Sequence, residues 1–265
     1  MKTLRFALFG NTYQKEKSAA IGQVIEALQR HNAQIVTDIS NADFAISMGG
    51  DGTLLKTASH VGDRQIPIIG INMGRLGFLA DVSPFDVDTC IDAIYSGDYF
   101  VEDRALIQVE PLADCALNDV AILKRDTASM IAIRATVNGE YLATYQADGL
   151  IVSTPTGSTA YSLSNGGPII VPGTGVLLMT AVAPHSLNIR PIVIPDTARI
   201  ELTVSSRSHS FLVAVDGRSE KMPEGTTLTL TRAPYNIKVV KRSQTHYFST
   251  LREKLMWGAD VRQNS

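Results

Sequence analysis

The segment Gly49-Gly50-Asp51-Gly52-Thr53 places one carboxylate among three glycines, between an apolar run and a helical pattern. Glycine has no Cβ, so the backbone on either side of the aspartate can adopt positive φ and let a ligand approach its N–H groups. The first N–H groups of the helix that follows have no partner within the helix and carry a partial positive charge. The pattern therefore predicts that Gly49, Gly50, Gly52 and Thr53 bind a polyphosphate while Asp51 points at a neighbouring group.

A simpler alternative is that Asp51 or Thr53 only caps the helix and that the glycines only make a tight turn. A second polar segment, from Asp148 to Pro168, combines serines, threonines and glycines with Tyr161. Hydroxyl and N–H groups around a turn can bind ribose hydroxyls and phosphate oxygens, and a tyrosine ring offers a flat apolar face. The alternative for this segment is a capped surface turn followed by a short helix.

Composition excludes several other classes of function. The 265 residues are 45% hydrophobic and 19% charged, which is typical of a soluble globular protein. A net charge of -2 provides no field that would attract nucleic acid or an anionic membrane, so we expect neither partner. No cysteine or histidine cluster has metal-ligand spacing, so no metal site is predicted. Cys90 and Cys115 are expected to be buried thiols in a reducing cytoplasm, because no signal peptide or membrane-spanning run is evident.

Strand and helix patterns alternate through the first 97 residues. Short apolar runs, including Phe44 to Met48 and Pro67 to Asn72, suit buried parallel strands, and the segments between them have helical periodicity. This alternating pattern predicts that residues 1–97 form an α/β domain. In such domains, ligands bind at the carboxyl ends of the strands. Asp51 follows such an end.

After Gly97 the pattern becomes strand-like. Alternating apolar residues from Ile131 to Val137 are followed by Asn138-Gly139, a pair typical of a type I′ hairpin turn. Further alternating runs separated by turn residues predict that residues 98–245 form an all-β domain, a β-sandwich. Residues 246–265 are expected to pack back on the first domain.

Several motifs together resemble the NAD kinase family in content and order. They are GGDGT at 49–53, LND at 117–119, DGLIVSTPTGSTAYSLS at 148–164, GGP at 166–168, PHSL at 184–187 and VDG at 215–217. The first motif alone is weak evidence for this family, because lipid kinases and phosphofructokinases use similar turns. The block at 148–164 is specific to the family. The resemblance implies an α/β domain followed by a β-sandwich, and Mg²⁺-dependent transfer of a phosphoryl group from ATP to the adenosine 2′-hydroxyl of NAD, giving NADP. It also implies a homo-oligomer, either a dimer or a tetramer.

The resemblance also assigns roles to individual residues. It makes Asp51 the general base beside the ribose hydroxyl. It implies that the substrate contacts are Gly52, Phe78, Leu79, Asn118, Asp119, Gln146, Asp148, Thr159, Ala160, Tyr161, Ser162, Leu163, Ser164 and Arg218. Asp119 departs from the family's usual Glu and is one methylene shorter, so a bridging water is an alternative to direct contact with the ribose.

The chain has no Gly-Lys pair and therefore no lysine of the P-loop type. Mg²⁺ or another divalent cation is expected to offset the charge of the triphosphate, held chiefly by phosphate oxygens and water. The sequence leaves open whether the donor is ATP alone, other nucleoside triphosphates or polyphosphate, and whether NADH is also accepted. Three alternatives to an NAD kinase are a lipid kinase with the same glycine-rich corner, a non-catalytic NAD sensor and a purely structural oligomer.

Overall fold

The computed structural model describes residues 3–10, 15–74, 77–126, 129–243 and 246–258. The helices are α1 (Lys15–Arg30), α2 (Asp51–Val61), α3 (Val87–Ser96), α4 (Tyr161–Ser164) and α5 (Tyr247–Leu255). The strands are β1 (Arg5–Gly10), β2 (Gln34–Val36), β3 (Phe44–Gly49), β4 (Ile68–Asn72), β5 (Tyr99–Glu110), β6 (Asp114–Ala116), β7 (Asp119–Lys124), β8 (Ile131–Val137), β9 (Glu140–Ala147), β10 (Gly149–Ser153), β11 (Val176–Val182), β12 (Ile192–Pro195), β13 (Ile200–Ser205), β14 (Ser210–Val215), β15 (Arg218–Pro223) and β16 (Thr227–Arg242).

The chain divides into two compact units. Unit 1 comprises Met1–Asp103 together with Ile237–Ser265, and unit 2 comprises Arg104–Asn236. Strand β16 therefore begins in unit 2 and ends in unit 1. The domain limits expected at residues 97 and 245 stay predictions.

Unit 1 contains a parallel sheet in the order β2-β1-β3-β4, extended by the end of β16 through the pair Val239 and Ile68. All six residues of β3 are buried, as expected for a parallel strand covered on both faces. Buried side chains of the sheet and of α1 and α3 share one apolar core, which includes Phe6, Leu28, Ile46, Ile69 and Ile91. The α/β class expected for this part of the chain is confirmed.

The strand order reverses between β1 and β3. The chain passes from β1 to β2 on one side and then to β3 on the other side. In open α/β sheets, a crevice for ligands lies outside the carboxyl ends of the strands at such a switch point. Here those ends are Gly10 of β1 and Gly49 of β3, so the sheet places the GGDGT corner at the crevice.

Unit 2 is built from antiparallel strands in two sheets. One sheet has the order β12-β11-β10-β7-β14-β15, and the other has the order β16-β13-β8-β9. Residues of both sheets bury their side chains in one core, which includes Ile122, Leu150, Phe211, Ile133 and Leu202. This arrangement is a β-sandwich and confirms the expected class.

The predicted hairpin is also confirmed. Strands β8 and β9 pair across Asn138 and Gly139, which have φ of 53° and 81°. Positive φ at both central residues defines the type I′ turn, and asparagine and glycine tolerate it best.

Within unit 1, the end of β16 is tied to the loop that follows β4. Lys241 Nζ lies 2.7 Å from Asp81 Oδ2, and both side chains are largely buried. The same ammonium donates to the Leu79 carbonyl at 3.4 Å. A residue near the end of the chain therefore fixes a loop that contacts Asp51.

Candidate active site

Asp51 is the first residue of α2, and its carboxylate is held by the loop after β4. The Phe78 N–H donates to Asp51 Oδ2 at 2.7 Å, and the N–H groups of Leu79 and Ala80 donate to Oδ1 at 3.0 and 3.3 Å. An ionised carboxylate has about four acceptor positions, so these bonds fix its orientation and leave about one position for a further donor. The side chain is partly exposed.

The capping alternative is wrong for this helix. Its N-cap residue is Gly50, which makes no side-chain hydrogen bond. The Asp51 side chain binds N–H groups 27 to 29 residues further along the chain instead of those of its own helix. The carboxylate is thus turned away from the helix and towards the loop at 78–80.

Two glycines allow the Asp51 and Thr53 side chains to lie where they do, because each side chain packs directly against a glycine Cα. A Cβ on Gly77 would overlap the Asp51 carboxylate, and a Cβ on Gly49 would overlap the Thr53 side chain. Neither position has a positive φ. The need for glycine there is steric, since no other residue type leaves room for these side chains.

A cavity of about 530 Å³ lies beside the corner. It is lined by Phe9, Gly10, Gly50, Gly52, Thr53, Lys56, Thr57 and His60. Three of the four predicted phosphate-binding residues therefore face one space at the carboxyl ends of β1 and β3. The fourth, Gly49, is buried at the end of β3.

Phe78 and Leu79 are predicted substrate contacts in unit 1. Phe78 is partly exposed, whereas Leu79 has only 3% of its surface exposed. Both donate backbone N–H groups to Asp51. A buried Leu79 offers little side-chain surface to a ligand. Its role as a contact stays a prediction.

In unit 2, the Asn118-Asp119 pair is held by a second carboxylate. Asp216 accepts hydrogen bonds from the N–H groups of Leu117, Asn118 and Asp119 at 2.8, 2.8 and 3.2 Å. In return, the Asp216 N–H donates to the Asp119 carbonyl at 3.0 Å. Asp216 has φ of 47° and starts the tight turn from β14 to β15.

Burial changes the proton affinity of both carboxylates. Burial, and then the negative charge of Asp216, raise the pKa of Asp119 to about 7. Burial also raises the pKa of Asp216, although the three N–H groups that it accepts oppose this shift. Asp119 is therefore partly protonated at neutral pH.

The hydroxyl-rich segment uses many of its hydroxyls internally. Thr154 donates to the Leu117 carbonyl at 2.6 Å, Ser158 to the Pro155 carbonyl at 2.7 Å, and Ser162 pairs with Thr180 at 2.7 Å. All three side chains are fully buried. These three hydroxyls are therefore bonded inside the protein and are not open ligand donors, whereas the buried Ser153 hydroxyl of the same segment has no hydrogen-bond partner among the described residues.

The exposed part of this segment is smaller. Tyr161 has 40% of its surface exposed, Ser164 is exposed, and Thr159, Ala160 and Leu163 are partly exposed. A short 3-10 turn (Gly157–Thr159) and α4 position these residues. The alternative of a capped surface turn followed by a short helix is correct only for the short helix, because neither element has a side-chain cap and Gly157 and Ser158 are buried.

The remaining predicted contacts of unit 2 lie near charged partners. Asp148 is paired with Lys124 at 2.7 Å, and Arg218 is paired with Asp114 at 2.8 Å. Gln146 is exposed, and its carbonyl accepts the His185 N–H. The predicted site residues thus form one set in unit 1 and one in unit 2.

Sequence reasoning missed three features. It did not identify Asp216 as the residue that holds 117–119, Gly77 as the position that admits the Asp51 carboxylate, or Lys56 and His60 as cavity residues. VDG at 215–217 was the available signal for Asp216. The others depend on contacts across the fold and leave no local pattern.

Nowhere in the described parts of the chain do three or more His, Cys, Asp or Glu side chains form a group that could hold a metal ion. Within the same ranges, no helix is both long and apolar enough to span a membrane.

Comparisons with known proteins cover nearly the whole chain. Residues 7–99 match the family model of the ATP-NAD kinase N-terminal domain, and residues 117–242 match that of the ATP-NAD kinase C-terminal domain. The chain is 52% identical to the NAD kinase of Bacteroides fragilis over 291 aligned positions, covering 98% of this chain and 100% of the relative. It is 47% identical to the NAD kinase of Porphyromonas gingivalis, covering 92% of this chain and 82% of the relative.

Two solved structures have the same fold. An NAD kinase from Archaeoglobus fulgidus in complex with ATP superposes with a TM-score of 0.82 at 27% identity, covering 96% of this chain and 99% of that chain. Yeast NADH kinase complexed with NADH superposes with a TM-score of 0.88 at 22% identity, covering 99% and 90% of the two chains.

Proposed function

The chain belongs to the NAD kinase family, and from this premise we infer that it is an enzyme that transfers a phosphoryl group from ATP to NAD. The acceptor is the 2′-hydroxyl of the adenosine ribose, and the product is NADP. The observation that carries this function is the corner at β3 and α2, where Asp51 is oriented beside a cavity that is lined by glycines and Thr53. Neither the lipid kinase nor the NAD sensor is supported by the comparisons.

We propose Asp51 as the general base. Three backbone N–H groups hold its carboxylate, and about one acceptor position is left for the ribose hydroxyl. Phosphoryl transfer depends mainly on alignment and on stabilisation of charge. A fixed carboxylate aligns the hydroxyl, and it accepts the proton as bond formation to phosphorus makes that hydroxyl acidic.

We propose Gly50, Gly52 and Thr53 as contacts of the transferred phosphate, with Gly49 supporting the turn. The helix N-terminus adds a partial positive charge at that point. Mg²⁺ enters as the Mg·ATP substrate. In support, none of the described residues that line the cavity is a carboxylate. Such a lining suits an ion that arrives already bound to phosphate oxygens.

We propose that the set in unit 2 binds the dinucleotide. Asn118 is held with its backbone fixed by Asp216, and Tyr161 presents an exposed ring. Thr159, Ala160 and Ser164 lie on the accessible turn beside it, and Gln146, Asp148 and Arg218 supply polar groups. Ser162 is fully buried, so we assign it a supporting role through its bond to Thr180.

We further propose a cytoplasmic homo-oligomer, either a dimer or a tetramer. Cys90 and Cys115 are free thiols, which supports a reducing compartment. Cys90 is buried as expected, whereas Cys115 is only partly buried, so the expectation of burial is wrong for Cys115. Leu187 and Val193 of unit 2 expose 87% and 46% of their surfaces, which supports a contact between subunits. Light scattering of the purified protein tests the oligomeric state.

The decisive experiment measures NADP formed from NAD, ATP and Mg²⁺ by the wild type and by the Asp51→Asn variant. We expect turnover to fall by about two to four orders of magnitude in the variant, because the proton acceptor is lost. Calorimetry should show that NAD still binds. Asp63→Asn, in the exposed turn after α2, is the matched control and should keep wild-type turnover. Near-normal turnover in Asp51→Asn would remove this residue from the role of base.

A further inference from the structure

One buried hydroxyl of unit 2 has no place in the proposed reaction. Ser153 is the last residue of β10 and is fully buried, and its Oγ has no hydrogen-bond partner among the described residues. Buried polar groups are nearly always hydrogen-bonded, because an unpaired one keeps the full cost of leaving water. The neighbours of Ser153 in the sheet show which group its hydroxyl can serve.

Ser153 lies directly opposite Asp119 in the antiparallel ladder of β10 and β7. The next pair, Thr154 and Asn118, is joined by a backbone hydrogen bond of 2.9 Å, so Ser153 and Asp119 form a pair without backbone hydrogen bonds between them. In such pairs both side chains project from the same face, and their Cβ atoms are about 4.5–5.5 Å apart. A hydroxyl and a carboxylate oxygen that extend towards each other close this gap to hydrogen-bond distance.

This pair lies on the outer face of the sheet. Val152 of β10 packs in the core of the sandwich, so its neighbours Ser153 and Ile151 point to the opposite side. Thr180 of β11 pairs with Ile151 and is therefore on that side as well, and its hydroxyl is bonded to Ser162 of α4 at 2.7 Å. The pair thus lies on the face of the sheet that is covered by the segment with the proposed dinucleotide contacts.

The backbone around the pair is fixed. The Thr154 hydroxyl donates to the Leu117 carbonyl at 2.6 Å. A Cβ on Gly157 would overlap the Asn118 carbonyl group, so the turn after β10 packs directly on the segment that leads into β7. The freedom left to Ser153 is rotation about its Cα–Cβ bond between staggered positions. Such a rotation aims the hydroxyl across the strands without moving the backbone.

The charge that acts on Asp119 comes from one neighbouring element. The turn between β14 and β15 places the Asp216 carboxylate there, and burial and then this negative charge raise the pKa of Asp119. Strands β10 and β11 and residues 154–160 contain no ionisable side chain, and α4 contributes Tyr161. Two arginines on neighbouring elements have partners of their own, namely Arg104 with the Thr156 hydroxyl and Arg218 with Asp114. Ser153 is therefore a neutral donor that is placed to bind the Asp119 carboxylate despite the repulsion from Asp216.

We propose that Ser153 is a positioning residue for Asp119. Its hydroxyl donates a hydrogen bond to one oxygen of the ionised carboxylate, and the other oxygen is thereby held towards the dinucleotide. This role rests on the proposed kinase function and deepens it, because a fully buried residue acts on NAD through the contact that Asp119 makes. A neutral donor favours the charged form of a carboxyl group, so Ser153 also sets the pH at which NAD binding strengthens.

The test measures KM for NAD as a function of pH in the full-length wild type and in Ser153→Ala. In the wild type, KM for NAD should fall through an inflection at about pH 7. We expect the inflection to move up by about one pH unit in Ser153→Ala, because the charged form of Asp119 loses a hydrogen bond. A merely structural role of Ser153 would not move it. In an Asp119→Asn background, Ser153→Ala should change KM for NAD no further.

Ser47→Ala is the matched control. Ser47 is also a buried serine whose Oγ has no partner among the described residues, but it lies in β3 of unit 1. This variant should keep the inflection at the wild-type pH. Ser153→Cys keeps the size of the side chain but donates only weakly, so its inflection should lie between those of the wild type and Ser153→Ala. It decides the question if Ser153→Ala does not fold.

Three results would count against the proposal in different ways. An inflection that stays at the wild-type pH in the Ser153 variants would overturn the positioning role, and so would a further rise in KM for NAD when Ser153→Ala is added to Asp119→Asn. A wild-type profile without an inflection would overturn the titration of Asp119 and, with it, this role of Ser153. A wild type that forms no NADP would overturn the kinase function itself.

Discussion

Two aspartates, one in each unit, hold backbone segments in the same way. Asp51 accepts the N–H groups of Phe78, Leu79 and Ala80, and Asp216 accepts those of residues 117–119. Hydrogen bonds to a charged acceptor contribute about 1.5–3 kcal/mol each, which is enough to offset the cost of about 1–2 kcal/mol for ordering one residue. Each carboxylate thus fixes three consecutive peptide groups, and these groups include or adjoin residues that we propose as substrate contacts.

Gly77 tests whether the orientation of Asp51 matters separately from its charge. In Gly77→Ala the new methyl group would overlap the carboxylate, so Asp51 must rotate away from the loop. We expect kcat to fall at least about tenfold, because misplacement of about 1 Å is costly in catalysis. Steady-state NADP formation measures this.

Gly22→Ala is the matched control, because a Cβ at Gly22 meets nothing within 4 Å. It replaces a glycine in the interior of α1, so it should keep activity and slightly raise thermal stability. Equal kcat in Gly77→Ala and Gly22→Ala would show that the carboxylate tolerates rotation.

Asp119 should make NAD binding depend on pH. Its pKa of about 7 means that it gains charge as the pH rises through neutrality. An ionised carboxylate accepts a stronger hydrogen bond from a ribose hydroxyl than a protonated one does. We therefore expect KM for NAD to fall as the pH rises through about 7, and Asp119→Asn should abolish this inflection.

Thermal unfolding gives an independent check that the pKa of Asp119 is raised and not lowered. The raised pKa means that the folded protein keeps a proton that the unfolded chain loses above its ordinary value of 3.8. The folded state is therefore disfavoured progressively as the pH rises from about 4 to about 7. The Tm of Asp119→Asn relative to wild type should increase over that range and stay level above it. A constant difference would mean that Asp119 does not titrate there.

At the scale of elements, the β14–β15 hairpin supports the start of β7. Its turn residue Asp216 holds the segment that ends at Asp119, 97 residues earlier in the chain. In Asp216→Asn, one acceptor oxygen becomes a donor group that faces an N–H group, and the negative charge beside Asp119 disappears. We expect KM for NAD to rise about tenfold, as one charge-assisted bond is lost.

The pH profile separates this positioning effect from general damage. Without the Asp216 charge the pKa of Asp119 should fall, so the inflection in KM for NAD should move below pH 7 in Asp216→Asn. If Asp216→Asn raises KM for NAD but leaves the pH of the inflection unchanged, electrostatic coupling between Asp119 and Asp216 is contradicted.

The elements themselves were largely predictable, and the contacts between them were not. Local chemistry determines the Asn138-Gly139 hairpin and the position of Asp51 at the end of β3, and both follow from the sequence. The partners of Asp51 lie 27 to 29 residues away and are backbone N–H groups, which every residue except proline has. No pattern of side-chain types distinguishes them. The buried hydroxyls of the 148–164 segment likewise have partners, such as the Leu117 carbonyl for Thr154, that leave no pattern in the sequence.

At the scale of the whole molecule, unit 1 is discontinuous. Its first 103 residues carry the GGDGT corner, but β16 arrives from the other end of the chain and supplies Val239, Val240 and Lys241. Val239 and Val240 are almost fully buried, and Lys241 holds the loop that contacts Asp51. Periodicity identifies β16 as a strand, but it does not reveal which distant sheet that strand completes.

This discontinuity predicts how fragments behave. We expect residues 1–103 alone to lack cooperative thermal unfolding, because the apolar edge of β4 and the side chain of Asp81 lose their partners. Adding a peptide of residues 237–258 should restore a cooperative transition, measured by circular dichroism. A peptide with Val239 and Val240 both replaced by Asp is the matched control and should fail. A cooperative transition in residues 1–103 without any peptide would contradict a structural need for β16.

The position of β16 also sets an order of events during synthesis. A ribosome that has made the GGDGT corner must still add all of Arg104–Asn236 before the strand that completes unit 1 emerges. Unit 2 is continuous and can fold on the nascent chain while unit 1 waits with an open sheet edge. We therefore expect the GGDGT corner to be the last part to reach its final structure. A chain that is truncated before β16 contains Asp51, but the loop that binds Asp51 is not anchored by Lys241.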